Sequence, residues 1–294
     1  MSEILDIIIE TLIDSAKMLP FLFVSYLIIE IIEHKSSDKL KKILSKSGKY
    51  GPVAGAALGL VPQCGFSVTA SNLYSGRVIT LGTLIAVFLS TSDEAIPVLL
   101  SHPNSTLELI KVLAVKFIIA FVFGMIIDLV INKFKTKEEI ENSQVEEAHE
   151  HMHEVCSHCH CEDKGVVRST IKHTLNVFLF ILIVSFVLHI VIHVIGEDNL
   201  SKVLMQGSIF QPFVAGLIGL IPNCASSVIL TELYLAGSIS FGAIIAGLAT
   251  GAGIGLAVLF KSNHNQKENF KILGLLYALG VFSGIIIQII ESVI

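Results

Sequence analysis

Two short motifs in the chain bring a side-chain amide, a thiol and a hydroxyl within five residues of one another. Each motif starts with a proline and continues as amide, cysteine, two further residues and serine. Thiol sulfur is a ligand for soft metal ions, whereas amide and hydroxyl oxygens suit harder ones. A lone cysteine in an apolar segment is most often a packing residue, but a cysteine repeated with the same neighbours predicts a shared ligand site. The residues are Gln63, Cys64 and Ser67 in the first motif and Asn223, Cys224 and Ser227 in the second.

A run of polar residues interrupts the apolar stretch that follows the first motif. It has the sequence Ser-Thr-Ser-Asp-Glu and includes Thr91, Asp93 and Glu94. A carboxylate inside a membrane span costs about 2.5–3.5 kcal/mol on insertion scales and usually marks a functional site; the alternative is a helix end near the membrane surface. We assign these three residues, and Thr250 farther along the chain, to the same candidate ligand site. Its carboxylates suit Mn²⁺ and its neighbours, while the thiolates favour softer ions such as Zn²⁺.

A single lysine, Lys116, lies in the apolar run VLAVKFIIAFVFG. A lysine inside a span either extends its side chain to the membrane surface or finds an anion. The first alternative makes Lys116 a structural residue. The second pairs it with Asp93 or Glu94 when metal is absent and makes it a candidate coupling group, because an arriving metal ion would displace the ammonium.

A segment rich in histidine and cysteine lies near the middle of the chain. It carries five histidines and three cysteines within 13 residues, with the cysteines spaced C-x-x-C-x-C. This density of imidazole and thiol groups is typical of a site for Zn²⁺ or a similar transition metal. We assign it as an accessory metal site outside the transport path. Its members are His149, His151, His153, Cys156, His158, Cys159, His160 and Cys161.

Two further histidines, His189 and His193, are spaced four residues apart near the end of another apolar stretch. Residues at this spacing share one face of a helix. They form a weak candidate for an exit ligand pair, since histidines at a membrane surface are common without any ligand role.

The elements that hold these residues must lie in a membrane. The chain has 294 residues, of which 53% are hydrophobic and 15% are charged, and it has no tryptophan. Soluble proteins carry roughly 25% charged residues, so this chain lacks the charge to cover a water-facing surface. Its net charge of −5 gives no basic footprint for nucleic acid. The composition predicts an all-α integral membrane protein in a lipid bilayer and excludes most soluble enzymes and a nucleic-acid partner.

The chain is one unit repeated at an offset of 160 residues. Positions 52–100 align with 212–260 without a gap, and the shared residues include both Pro-x-Cys motifs. Tyr74 matches Tyr234 at the same offset. We divide the chain into a first membrane repeat (1–134), a His/Cys-rich linker (135–170) and a second membrane repeat (171–294).

The distribution of lysine and arginine predicts opposite orientations for the two repeats. The loop at 35–49 carries six lysines, while its counterpart beginning at Gly196 is net acidic. The loop at 101–106 has no lysine or arginine, while its counterpart at 261–271 has three lysines. Basic loops lie on the cytoplasmic side, so the orientation flips between the repeats. We predict that both chain termini lie outside the cell and that the linker is cytoplasmic.

The segment 52–100 must cross the membrane an odd number of times between those loops. Three crossings need about 60 residues at ~20 per crossing, so the fitting arrangement is a re-entrant hairpin, 52–63 with 65–75, followed by one full span. The predicted fold is therefore two inverted-topology repeats, each with about three full spans and one re-entrant helical hairpin, ten segments in all. The two hairpin tips should meet near the midplane, where transporters of this plan bind substrate.

The duplicated Pro-(Gln/Asn)-Cys hairpins, the Ser-Thr-Ser-Asp-Glu break and the His/Cys-rich linker together resemble the ten-transmembrane heavy-metal exporter family. Members of that family are labelled arsenic efflux proteins or manganese transporters. The resemblance covers essentially the whole chain, with five segments per half when each hairpin counts as two. It implies export of a metal or metalloid.

These features predict a secondary-active transporter of the cell membrane, not an enzyme, that exports a divalent transition metal by alternating access. Mn²⁺ is the first expectation, and arsenite or an organoarsenical is the alternative substrate. The sequence has no Walker motif, which excludes ATP-driven pumping by this chain. The alternative classes are a metal sensor and a membrane thiol oxidoreductase that uses Cys64 and Cys224, although neither cysteine has a C-x-x-C partner. We expect no cofactor beyond the transported ion, and the sequence is compatible with a homo-oligomer.

Overall fold

The fold is that of a computed structural model, which describes residues 50–62, 64–92, 95–101, 106–134 and 210–293, together with single positions between 12 and 27 and between 170 and 187. Every regular element in these ranges is an α-helix. In chain order the helices are α1 (50–59), α2 (Gly65–Ser75), α3 (Leu81–Ser90), α4 (Ala95–Ser101), α5 (Thr106–Phe134), α6 (Gln211–Gly219), α7 (Cys224–Leu235), α8 (Phe241–Thr250), α9 (Ile254–Ser262) and α10 (Gln266–Val293).

The helix boundaries repeat along the chain as the sequence offset predicts. Adding 160 to the bounds of α3 gives the bounds of α8, and the long helices α5 and α10 start at equivalent positions. The starts of α3 and α8 have the same physical cause. Thr80 and Ser240 each stand before the helix in an extended conformation, and each hydroxyl oxygen accepts a hydrogen bond from the backbone N–H three residues later. This N-cap satisfies one of the backbone donors left without a partner at a helix start.

Among the residues that the structure describes, four helical segments are long and apolar enough to cross a membrane. Two of them, Leu81–Leu100 and Phe241–Ser262, are broken near their middle. In their most apolar stretches of 18 residues, 75% and 89% of the residues are buried inside the protein. The two continuous spans, Thr106–Ile131 and Gln266–Ser292, are only 22% and 33% buried. Irregular backbone at membrane depth survives only where protein or a water-filled cavity surrounds it. The predicted all-α class is confirmed for the described residues, in which the broken candidate spans are mostly buried and the continuous ones mostly exposed.

Each of two hydrophobic clusters combines residues from both repeats. One cluster packs Phe88 of α3 against Leu256 of α9 and Leu276 of α10. The other packs Leu99 of α4 against Ile244 of α8. Because each repeat supplies part of the other's core, the described helices of the two repeats form one packed body.

Paired glycines let the broken spans approach the continuous ones closely. A Cβ added to Gly82 would lie 2.3 Å from the carbonyl oxygen of Gly124, and one added to Gly242 would lie 2.4 Å from that of Gly284. Such close backbone contact is typical of helix pairs in membranes. In the first repeat Asp128 strengthens the crossing, because its carboxylate accepts hydrogen bonds from the Gly82 N–H at 2.9 Å and the Thr80 hydroxyl at 2.7 Å.

Candidate functional site

The first break in a membrane span follows α3 and carries three buried hydroxyl residues. Ser90, Thr91 and Ser92 are almost completely buried. The Ser90 hydroxyl donates to Ala86 O at 2.8 Å, and the Thr91 hydroxyl donates to Val87 O at 2.7 Å. Each hydroxyl therefore donates its hydrogen bond to a carbonyl of the same helix. The hydroxyl oxygens keep lone pairs with which a cation could be bound.

The second break follows α8 and is built from glycine and one threonine. Thr250 is fully buried, and its hydroxyl donates to Gly216 O of α6 at 2.8 Å and to Gly247 O at 3.0 Å. Gly253 has a φ of 55°, a conformation that glycine adopts without a steric penalty. The predicted site residues Thr91 and Thr250 thus each lie at the break in a span, one in each repeat.

Lys116 links the two breaks. Its side chain is fully buried, and its ammonium donates to Thr91 O and, at 2.7 Å, to Leu248 O. Both acceptors are carbonyls at the C-terminal ends of helices, where the helix dipole is negative. The ammonium therefore lies against two helix C-terminal ends inside the protein, and the side chain does not extend to the protein surface. The predicted partners Asp93 and Glu94 lie outside the described residues, and that pairing stays a prediction.

The first Pro-x-Cys motif lies against the second break. Cys64 is buried, and Ser67 is fully buried with its hydroxyl donating to Cys64 O at 2.8 Å. Ser71, one turn later, donates to Gly255 O at 2.6 Å. A Cβ added to Gly255 would lie 2.7 Å from the Ser67 Cβ. The motif of one repeat is therefore in direct contact with the break in the other.

In the second motif, Asn223 serves as a helix cap. Its side-chain Oδ1 accepts from the Ala225 N–H at 3.0 Å and closes the start of α7. Asn223 is 4% exposed, and its Nδ2 makes no hydrogen bond within the part of the chain that the structure describes. Ser227 is half-buried on α7, and Thr231 donates to its carbonyl at 2.7 Å. This motif therefore offers a buried hydrogen-bond donor at its tip.

No group of three or more His, Cys, Asp or Glu residues comes together within the described ranges. Several predicted ligands fall outside those ranges. They are Gln63, Asp93, Glu94, the side chain of Cys224, the exit pair His189 and His193, and the eight linker residues His149, His151, His153, Cys156, His158, Cys159, His160 and Cys161. Their participation in a metal site stays a prediction.

Sequence reasoning missed two polar ties that join the repeats. The Tyr74 hydroxyl donates to Glu268, and the Tyr234 hydroxyl donates to Glu108 at 2.6 Å. Adding 160 to Tyr74 and to Glu108 gives Tyr234 and Glu268, so the two contacts are equivalent and exchanged between the repeats. Their trace in the sequence is the match of both tyrosines and both glutamates at the repeat offset, which marks equivalent positions but not the positions that meet. We call the contact of Tyr74 with Glu268 the first tie and that of Tyr234 with Glu108 the second tie.

The sequence matches a protein-family model described as "Putative, 10TM heavy-metal exporter" over residues 3–195 and again over residues 162–293. These overlapping matches cover both repeats and the linker. No curated protein and no solved structure matches the chain.

Proposed function

The chain belongs to this family of ten-transmembrane heavy-metal exporters, and from that membership we propose that it is a secondary-active transporter that exports a divalent transition metal, Mn²⁺ first, by alternating access. The observation that carries the proposal is the meeting of two broken spans at the buried ammonium of Lys116. Broken helices that expose backbone carbonyls at membrane depth are how many secondary transporters hold their ions.

The reciprocal ties support a twofold relation between the repeats. A twofold axis makes residue i of one unit contact residue j of the other while j contacts i, and the first and second ties have this pattern. The lysine-rich sequence stretches 35–49 and 261–271 occupy non-equivalent positions in the two repeats. The positive-inside rule then orients the axis in the plane of the membrane, which makes the repeats inverted.

Helix length supports the re-entrant hairpins. Helix α2 has 11 residues and α7 has 12, so they rise about 16–18 Å at 1.5 Å per residue. The hydrocarbon core of a bilayer is about 30 Å thick, and a helix of this length reaches its middle without crossing it. Each pair of short helices therefore forms a hairpin whose tip, at Cys64 or Cys224, lies near the midplane.

The metal ion in this proposal lies between the tips and the breaks. The ligands are drawn from the two motifs and the two breaks, namely Gln63, Cys64, Ser67, Thr91, Asp93, Glu94, Asn223, Cys224, Ser227 and Thr250. A divalent ion that arrives beside the Lys116 ammonium meets strong repulsion, because like charges interact strongly in a region of low dielectric constant. Loss of the lysine proton from Nζ relieves that repulsion and couples metal binding to proton movement.

One observation favours the alternative substrate. The Nδ2 of Asn223 is a buried donor without a hydrogen bond within the described residues. A metal cation cannot accept a hydrogen bond, whereas the hydroxyl oxygens of arsenite can. Arsenite bound by the motif thiols, with one oxygen accepting from Asn223, is therefore the second candidate.

Ion-resolved transport in proteoliposomes tests the proposal. We expect purified full-length protein to move Mn²⁺ when a pH gradient is imposed, with Zn²⁺, Fe²⁺, Co²⁺ and arsenite measured in parallel. Lys116→Leu introduces the residue found at the equivalent position, Leu276, and should still bind metal but lose the response to the pH gradient. Lys133→Leu removes an exposed charge from the same helix and is the matched control. Flux of arsenite alone would replace the metal proposal with the second candidate, and absence of flux for every ion would overturn both.

A further inference from the structure

The two ties lie at equivalent positions but differ in one residue. At the first tie, Arg77 donates two hydrogen bonds to Glu268, from Nη1 at 2.8 Å and from Nη2 at 2.9 Å, and its guanidinium lies 5.4 Å from the centre of the Tyr74 ring. A bidentate bond of this kind is among the stronger ion pairs in proteins. At the second tie the position equivalent to Arg77 is Gly237, and Glu108 pairs instead with Lys111 of its own helix. An arginine ion pair therefore reinforces the first tie and not the second.

Arg77 holds this position in an unusual backbone conformation. Its φ is 55°, and Gly237 has a φ of 69° in the equivalent turn. Residues with a Cβ rarely adopt this conformation, whereas glycine adopts it readily. The conformation of this turn therefore favours glycine. In the first repeat the position is occupied by Arg77, whose side chain contacts Glu268 of the second repeat.

The surroundings of the two ties, which we call the first end and the second end, are packed unequally. At the first tie Tyr74 and Ser75 are each 5% exposed, and Gly76 is buried. At the equivalent positions of the second tie Tyr234 is half-buried and Ala236 is exposed. The surroundings of the first tie are therefore the more deeply buried.

Additional contacts close the first end along its length. The Ser262 hydroxyl donates to the Asn72 side chain at 2.9 Å, and Asn263 donates to Glu268 at 3.2 Å. The position equivalent to Asn72 is Glu232, which is exposed. The first end is thus held by a polar network, centred on Glu268, between the C-terminal end of α2 and the junction of α9 with α10.

We propose that the two ties are gates at opposite ends of the transport path and that Arg77 makes closure of the first end the resting state. This inference rests on the proposed alternating access. For the first end to open, both bonds from Arg77 to Glu268 must break, whereas the second tie itself is, among the described residues, a single hydrogen bond from Tyr234 to Glu108. Opening of the first end is then the step that the arginine opposes.

Reciprocal exchange of the two turn residues tests this assignment without any transported ion. Arg77→Gly gives the first turn the residue of the second, and Gly237→Arg does the reverse. Two reporter cysteines at equivalent positions, Ser75→Cys and Leu235→Cys, are introduced one at a time into the full chain in proteoliposomes. Labelling of each reporter by a small thiol reagent is followed by peptide mass spectrometry, so the native cysteines remain in place.

We expect Arg77→Gly to raise the labelling rate at position 75 about tenfold, a factor equivalent to ~1.4 kcal/mol, and to lower the rate at position 235. Gly237→Arg should lower the rate at position 235. Lys267→Ala, which removes an exposed charge beside Glu268, is the control and should change neither rate. If Arg77→Gly does not fold, Glu268→Gln gives the same test from the other partner.

Unchanged labelling at position 75 in folded Arg77→Gly or Glu268→Gln protein would overturn the gate assignment. A rise at position 75 without a fall at position 235 would show that Arg77 holds the first end together but would overturn the assignment of the two ties as coupled gates. Failure of the proposed function is separate, since absence of ion flux in wild-type protein leaves the labelling result unaffected.

Discussion

Close contact between the broken and continuous spans makes a sharp prediction for Gly82→Ala. The added methyl group would lie 2.3 Å from Gly124 O and 2.4 Å from Asp128 Oδ1, so backbone and carboxylate must both move. Overpacking of this kind costs about 1–3 kcal/mol, and displacement of the Asp128 carboxylate from the start of α3 costs about 0.5–2 kcal/mol. Replacing glycine by alanine within a helix offsets this destabilisation by up to about 1 kcal/mol, because alanine has the higher helix propensity. We expect a net destabilisation of about 2 kcal/mol.

The chain offers a matched control for this substitution. Gly274 lies within α10, and a Cβ added to it meets nothing within 4 Å. Gly274→Ala should therefore be neutral or stabilise the protein by up to about 1 kcal/mol. The two glycine-to-alanine variants should differ by about 2–3 kcal/mol, although the chemical change is identical.

Unfolding in detergent micelles titrated with dodecyl sulfate measures the difference. The chain has no tryptophan, so helix content by far-ultraviolet circular dichroism is the suitable signal. We expect a lower unfolding midpoint for Gly82→Ala and an equal or higher one for Gly274→Ala. Equal midpoints for the two variants would refute the inferred close crossing of α3 and α5.

Substitutions at the predicted site give three further outcomes. Replacing Asp93 by Asn and Glu94 by Gln together should abolish metal flux in proteoliposomes without loss of membrane insertion, because neutral amides cannot supply the ligating charge; wild-type flux would contradict the ligand assignment. Thr250→Val removes the hydrogen bond to Gly216 O and should cost about 1 kcal/mol, measured as a lower dodecyl sulfate midpoint, whereas an unchanged midpoint would count against this contact. Deletion of 149–161 should raise the KM for metal while leaving turnover measurable, and a folded but inactive deletion would show that the linker belongs to the transport path.

Much of the local structure could be predicted because it depends on residues close in sequence. The predicted return helix, 65–75, coincides with α2. The polar run that begins at Ser90 ends α3, and its Ser90 and Thr91 hydroxyls donate hydrogen bonds to carbonyls one turn earlier. The repeat offset carries the helix bounds to the second half, where α8 starts and ends 160 residues after α3 and Ser240 caps α8 as Thr80 caps α3.

The contacts between the repeats could not be predicted, because the offset identifies equivalent positions but not the positions that meet. Lys116 is the clearest case. Its described acceptors are backbone carbonyls of Thr91 and Leu248, and every residue has a carbonyl, so no sequence pattern marks those two. The first tie is similar, since Tyr74 and Glu268 are separated by 194 residues.

The position of a bound metal ion tests the central claim most directly. Crystals of the full chain, and of the variant that lacks 149–161, are grown with Mn²⁺, and anomalous diffraction is measured at the manganese absorption edge. The proposal predicts a peak in both crystals between the two breaks, beside Thr91 and Thr250 and near the Lys116 side chain. Peaks confined to the linker of the full chain, with none between the breaks in either crystal, would contradict it.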